Sequence, residues 1–234
     1  SFAHFTGSFQ GDGSQLTNLP ASNPFPFTGD AVITGSLTIS GSFSSFTLDS
    51  DNVVLGAGAG SSMEAGADNN VIIGNSAGDS LTTSNNNVLI GNQAGQALTS
   101  GDDRNVIIGY RAGYNNTGTQ NVFIGEETGR SSGAASYNVI IGQQSAYALT
   151  SGTKNVVIGF SAASNLNTGL NNIAIGNSAG DGLTSGDGNI LIGSSSLGAF
   201  ADMNDQLRIG NSATFITISG SLATGDVIFA NTAS

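Results

Sequence analysis

Two Gly-x-Ser-x-Gly sequences are the segments of this chain whose spacing could support catalysis. They span Gly74–Gly78 and Gly176–Gly180, with Ser76 and Ser178 at their centres. The pattern matches a nucleophile elbow, in which a serine on a strand-to-helix turn is activated by a histidine and an acid. However, the chain has a single histidine, His4, and both matches fall at the same place in a repeat. We therefore predict no catalytic residues and no enzymatic activity.

The acidic residues offer two further candidates. Glu126 and Glu127 are adjacent, so on a strand they would point to opposite faces and could not form a glycosidase pair. Asp12 and Asp187 each lie in a Gly-Asp-Gly sequence, where a turn needs no metal. We predict neither a metal ion nor a cofactor. The open alternatives are a calcium ion at these aspartates and a carboxylate pair assembled from different coils or chains.

Charge and composition exclude several partners. The net charge is −11, and the five basic residues are scattered along the chain, so no basic groove for nucleic acid or an anionic membrane surface is expected. No apolar run approaches the roughly 18 residues of a membrane-spanning helix, so no membrane insertion is expected. The absence of cysteine rules out disulfides and thiolate metal sites.

A five-residue motif recurs along the chain: asparagine, three apolar residues and glycine. It begins at Asn52 and ends in a degenerate copy at Gln206, and successive copies start 16 to 18 residues apart. A second apolar position follows the glycine by seven residues. It is occupied by Met63, Leu81, Leu98, Leu149, Leu166, Leu183 and Phe200.

This repeat predicts the fold class. Short Val/Ile-rich segments bounded by Gly and Asn are typical of strands, and a period of about 17 is too short for a helical-hairpin repeat. We predict an all-β protein, a parallel β-solenoid (β-roll or β-helix) of ten coils. At about 4.8 Å per coil, its rod would be about 45–50 Å long.

The asparagines that open the strands are predicted to stack as a structural ladder rather than to bind a ligand. Side-chain amides one coil apart are close enough to hydrogen-bond along the stack. The ladder comprises Asn52, Asn70, Asn87, Asn105, Asn121, Asn138, Asn155, Asn172 and Asn189.

The three apolar residues of each strand predict an oligomer. If Val71 and Ile73 fill the coil interior, Ile72 points outward. The outward stripe would then be Val54, Ile72, Leu89, Ile107, Phe123, Ile140, Val157, Ala174 and Leu191. So large an apolar stripe needs cover, and identical chains around an axis provide it. We predict a homotrimer, either intertwined or side by side.

The solenoid is predicted to occupy residues 51–213, between two small β modules. Residues 1–50 form an N-terminal β module and a Pro-containing linker, and residues 214–234 form a C-terminal β cap. Their alternating apolar residues and Gly-Ser turns favour short strands that shield the open ends of the solenoid.

The repeat, exemplified by Asn105–Gly118, resembles those of phage and bacterial tail-fibre-domain proteins, many of which end in a self-cleaving endosialidase-type chaperone. It is also similar to the head β-rolls of trimeric autotransporter adhesins. The opening segment Gly11–Leu19 resembles a recurrent tail-fibre module. The resemblance implies trimerisation, other tail or appendage proteins as partners, and a virion, extracellular or cell-surface location. It also implies that a chaperone would lie beyond Ser234, making Ser234 a processed end.

The expected function is therefore a structural fibre or stalk that presents or contacts a host cell surface. A glycan-binding adhesin head, with host surface glycans as partners, is the alternative. A polysaccharide-degrading tailspike is a weaker alternative, because the chain does not visibly group its carboxylates.

Overall fold

In each repeat, β-branched residues flanked by Asn and Gly form a three-residue strand. The computed structural model describes residues 51–99, 103–195, 202–211 and 216–229. The described residues are all β, without a helix. The repeat strands are β1 (Val53–Leu55), β2 (Val71–Ile73), β3 (Val88–Ile90), β4 (Val106–Ile108), β5 (Val122–Ile124), β6 (Val139–Ile141), β7 (Val156–Ile158), β8 (Ile173–Ile175) and β9 (Ile190–Ile192), followed by β10 (Gln206–Gly210).

These strands stack in parallel, each paired with the next along the chain. Equivalent repeat positions face each other, so Val106 aligns with Val122 and Ile107 with Phe123. Backbone hydrogen bonds between successive coils continue beyond both ends of each strand. For example, Gly109 N–H donates to the Ile90 carbonyl at 2.8 Å. The predicted parallel β-solenoid is confirmed. Ten strands enclose about nine complete turns.

The predicted direction of the apolar stripe was wrong, because its residues lie inside the coil. The side chains of Ile72, Leu89, Ile107, Phe123, Ile140, Val157, Ala174 and Leu191 have 0% exposure, and only Val54, in the first coil, is 36% exposed. The reason is strand alternation. Since the asparagine before each strand points inward, the residue two places later also points inward. Val71 and Ile73, predicted to be internal, are instead half-buried on the outside.

Two further columns complete the interior. A small residue three places after the strand glycine and an apolar residue seven places after it face the strand. The first column includes Ala77, Ala94, Ala112, Ala162 and Ala179; the second includes Leu81, Leu98, Leu149, Leu166 and Leu183. The strand glycine has a separate role. At Gly109, φ is 138°, and a Cβ would collide with the carbonyl oxygen of Gly125 in the next coil.

One pair of coils departs from this pattern. Asn116 and Ser132 replace leucine in the interior, where both are fully buried. Asn116 bonds its own turn, donating to the Gly118 carbonyl at 3.1 Å and accepting from Gly118 N–H at 3.3 Å. The same coils contain Phe123, the largest inner side chain. Phe123 thus adds side-chain volume in the pair of coils where Asn116 and Ser132 are smaller than leucine, as close packing of the interior requires.

A hairpin follows the parallel strands. Strand β11 (Ile216–Ser221) pairs antiparallel with β10, and β12 (Asp226–Phe229) pairs antiparallel with β11. Arg208 occupies the inner position of β10, beside Leu191 of β9, so the apolar column ends there. The hairpin covers the edge of β10, and β12 becomes the last strand of the described sheet. The predicted N-terminal module, residues 1–50, lies outside the described residues, as does Phe200.

Candidate functional site

The two serine elbows are ordinary turns of the repeat. Ser76 and Ser178 have φ values of 51° and 50°, and Gln93, Arg111 and Glu127 occupy the same left-handed position in their coils. A nucleophile elbow leads from a strand into a helix, whereas these serines lead into the next turn of the coil. His4 lies outside the described residues. The repeat turn thus accounts for both motifs.

We expect the double substitution Ser76→Ala and Ser178→Ala to leave any esterase signal unchanged, because the motifs follow from turn geometry. The measurement is hydrolysis of a p-nitrophenyl ester by purified wild type and double variant. A loss of turnover in the double variant, with an unchanged circular dichroism spectrum, would contradict this interpretation.

The acidic candidates lie in turns and bond to neighbouring coils. Glu126 and Glu127 follow β5 rather than lying on a strand, and accept hydrogen bonds from Gln143 Nε2 at 3.2 Å and Gln144 Nε2 at 3.1 Å. Asp187 accepts from Leu170 N–H at 2.7 Å. These contacts link successive coils. No group of three or more metal-ligating side chains is found among the described residues; Asp12 lies outside them.

The asparagine column forms a buried hydrogen-bond ladder. Asn138 is representative. Its Oδ1 accepts from the backbone N–H of Asn155 at 2.9 Å and from Asn155 Nδ2 at 3.1 Å. Its Nδ2 donates to Asn121 Oδ1 at 3.1 Å and to the Gly152 carbonyl at 3.0 Å. Each amide therefore ties its own strand to its own turn and to the adjacent coils, and is 0–5% exposed along the column. The ladder is structural.

The strand face outside the coil carries two columns of apolar side chains. We call it the outer Val/Ile face: the first and third residues of each strand, two columns that run the length of the array. The first column is Val53, Val71, Val88, Val106, Val122, Val139, Val156, Ile173 and Ile190; the third is Leu55, Ile73, Ile90, Ile108, Ile124, Ile141, Ile158, Ile175 and Ile192. Most are half-buried by their neighbours, while Leu55 is 53% exposed.

A second surface, which sequence reasoning missed, lies on the turns. We call it the turn face: the side chains two and five places after each strand glycine. Here Arg111 lies 5.1 Å from the Tyr110 ring centroid and 5.7 Å from that of Tyr114. Arg130 lies 5.7 Å from the Tyr114 ring and 5.5 Å from the Tyr147 ring. Cation–π stacking thus fixes an alternating Arg/Tyr cluster across three coils.

The polar contacts of this cluster restrain it further. Arg111 Nε donates to Gln93 Oε1 at 2.7 Å, and Arg130 pairs with Glu127 at 3.5 Å. The sequence could have revealed this Arg/Tyr column, because Tyr114, Arg130 and Tyr147 each lie five residues after the strand glycine of their coil.

Elsewhere in the turns, hydrogen bonds from Ser185 and Thr184 lower the pKa of the Asp202 carboxyl.

No protein-family model matches this chain, and no curated protein or solved structure matches it significantly. Among the described residues, no helix is long and apolar enough to span a bilayer. The functional assignment therefore depends on the geometry of the repeat and the chemistry of its surfaces.

Proposed function

We propose that this chain is the shaft of a homotrimeric fibre, of the kind found in phage tail fibres or related bacterial surface appendages, which presents or contacts a host surface. The outer Val/Ile face carries the proposal. Nine strands at about 4.8 Å make a strip about 40 Å long. A contiguous apolar strip that runs the length of a repeat array often marks an interaction site.

Three identical chains around an axis parallel to the rod would cover this face. Each chain presents the same two flat columns, and a closed cyclic arrangement brings them together without leaving a free copy of the face. The buried asparagine ladder favours a load-bearing role, because every coil is bonded to its neighbours through backbone and side chain. The resemblance of the repeat to tail-fibre domains supports a virion or cell-surface location for the proposed shaft.

We expect light scattering to give a mass about three times the 23.3 kDa of the chain, and Ile108→Asp to reduce it to that of a folded monomer. Ile108 is on the outer Val/Ile face, so a carboxylate there stays hydrated in the monomer but would be buried in the trimer. Asn115→Asp is the matched control, because it adds the same charge to an exposed turn of the same coil.

Three results would contradict the proposal. The wild-type chain could be a monomer. It could have twice the chain mass, which would indicate a face-to-face dimer. Finally, Ile108→Asp and Asn115→Asp could assemble equally well, which would show that the outer Val/Ile face is not the interface.

A further inference from the structure

The turn face contains a depression of about 270 Å³ between the coils of β6 and β7. It is lined by Gln144, Tyr147, Ala148, Ser161, Ser164 and Asn165. All six residues lie outside the outer Val/Ile face. A ligand here would therefore not use the face proposed as the trimer interface.

The depression arises where the side chains at both positions of the turn face become shorter from one coil to the next. Two places after the strand glycine, Gln144 is followed in the next coil by Ser161; five places after it, Tyr147 is followed by Ser164. Long side chains on one coil thus form a wall, and short ones on the next form a floor. The two preceding coils have long side chains at both positions, Arg111 and Tyr114 and then Glu127 and Arg130, and so form no such step.

The wall is held in place before any ligand arrives. Arg130 lies 5.5 Å from the centroid of the Tyr147 ring, and its Nη1 donates to the Tyr147 hydroxyl at 2.5 Å. Gln144 Nε2 donates to Glu127 at 3.1 Å, and Asn165 Nδ2 to the Asp181 carbonyl at 2.6 Å. These bonds reduce the side-chain freedom that binding would otherwise have to remove, which favours affinity.

The lining chemistry indicates a neutral saccharide. A tyrosine ring offers an apolar surface to the C–H face of a pyranose, while amide oxygens and serine hydroxyls can exchange hydrogen bonds with its hydroxyls. No lining residue is charged, the neighbouring Arg130 is paired with Glu127, and the chain carries −11 overall, so an anionic sugar would find no unpaired counter-charge at the site. The volume is just below the roughly 300–1,000 Å³ of drug-sized ligand sites, which suits one or two sugar rings.

From these observations we infer that Tyr147, Gln144, Ser161, Ser164 and Asn165 form a binding site for a neutral hexopyranose unit of a surface glycan. The site gives the shaft a lateral contact with carbohydrate, in addition to any receptor contact at a fibre tip. Stacking on Tyr147 supplies the apolar part of the binding, and the amides and hydroxyls select the hydroxyl pattern.

Saturation-transfer NMR of the full chain with the methyl glycosides of glucose, galactose, mannose and N-acetylglucosamine tests this inference. We expect at least one glycoside to receive saturation on its C–H face. Two variants should weaken that binding by about tenfold or more, a difference of about 1.4 kcal/mol. Tyr147→Ala removes the stacking surface. Ser164→Tyr fills the floor by continuing the Tyr column of Tyr114 and Tyr147, a side chain this position of the coil already accommodates.

The matched control is Tyr110→Ala, since Tyr110 is 44% exposed and also stacks with an arginine but does not line the depression. It should bind like the wild type. The inference is overturned if no glycoside binds the wild type, if folded Ser164→Tyr binds as well as the wild type, or if Tyr110→Ala loses binding as Tyr147→Ala does. Any of these results leaves the trimeric shaft intact, because that proposal is decided by mass.

Discussion

Replacing Ile107 by aspartate is expected to unfold the coil that contains it, whereas the same change at the adjacent Ile108 is expected to leave the coil intact. Ile107 has 0% exposure and lies between Leu89 and Phe123 in the neighbouring coils. An aspartate there has no polar partner in its column, so it would be either an unpaired buried charge or a neutral acid with unmade hydrogen bonds. The expected cost is about 5 kcal/mol or more.

Far-UV circular dichroism and thermal unfolding of the two variants measure the difference. Because each coil contacts only its neighbours, damage at β4 should also separate the array into independently unfolding parts. If Ile107→Asp were folded and monomeric while Ile108→Asp was unfolded, the middle residue of the strand would face outward, as the sequence alone predicted. The pair therefore tests the orientation of the strands directly.

Asn138→Ala is expected to destabilise the centre of the array by about 3–5 kcal/mol, because unsatisfied buried polar groups cost about 1–3 kcal/mol each. The substitution removes the acceptor of Asn155 N–H and Asn155 Nδ2 and the donor to the Gly152 carbonyl, all of which are buried.

Hydrogen exchange is the sharpest measurement of this effect, since a repeat array need not unfold in one step. The amide of Asn155 should lose protection first, followed by those of the strands β6 and β7. Asn177→Ala is the matched control, because Asn177 is exposed on the turn that follows β8 and should change stability by less than about 0.5 kcal/mol. Equal effects of the two substitutions would show that the ladder adds no stability beyond that of a surface asparagine.

The period and the strand residues of the solenoid were both predictable from the sequence, because a repeated unit must place equivalent residues at equivalent positions. The asparagine ladder followed from the same reasoning. The orientation of the strand did not. Three consecutive apolar residues are compatible with either face inward, and alternation alone does not choose between Ile107 and Ile108.

Two signals in the sequence could have resolved that choice. A buried asparagine ladder requires Asn105 to point inward, and Ile107 must then do the same. The middle column also varies in size, from Ala174 to Phe123, as expected of residues that fill an irregular interior. The first and third columns are nearly uniform Val and Ile, which suits a flat surface.

Features that depend on distance along the chain could be predicted from the residues alone: the repeat, its strands, its turns and the stack of equivalent residues. Features that depend on distance between coils required the folded structure. Tyr147 and Ser164 are 17 residues apart and meet across a step about 5 Å high only because the coil closes on itself. The depression between them and the Arg/Tyr cluster beside it arise from that closure, which local residue preferences do not encode.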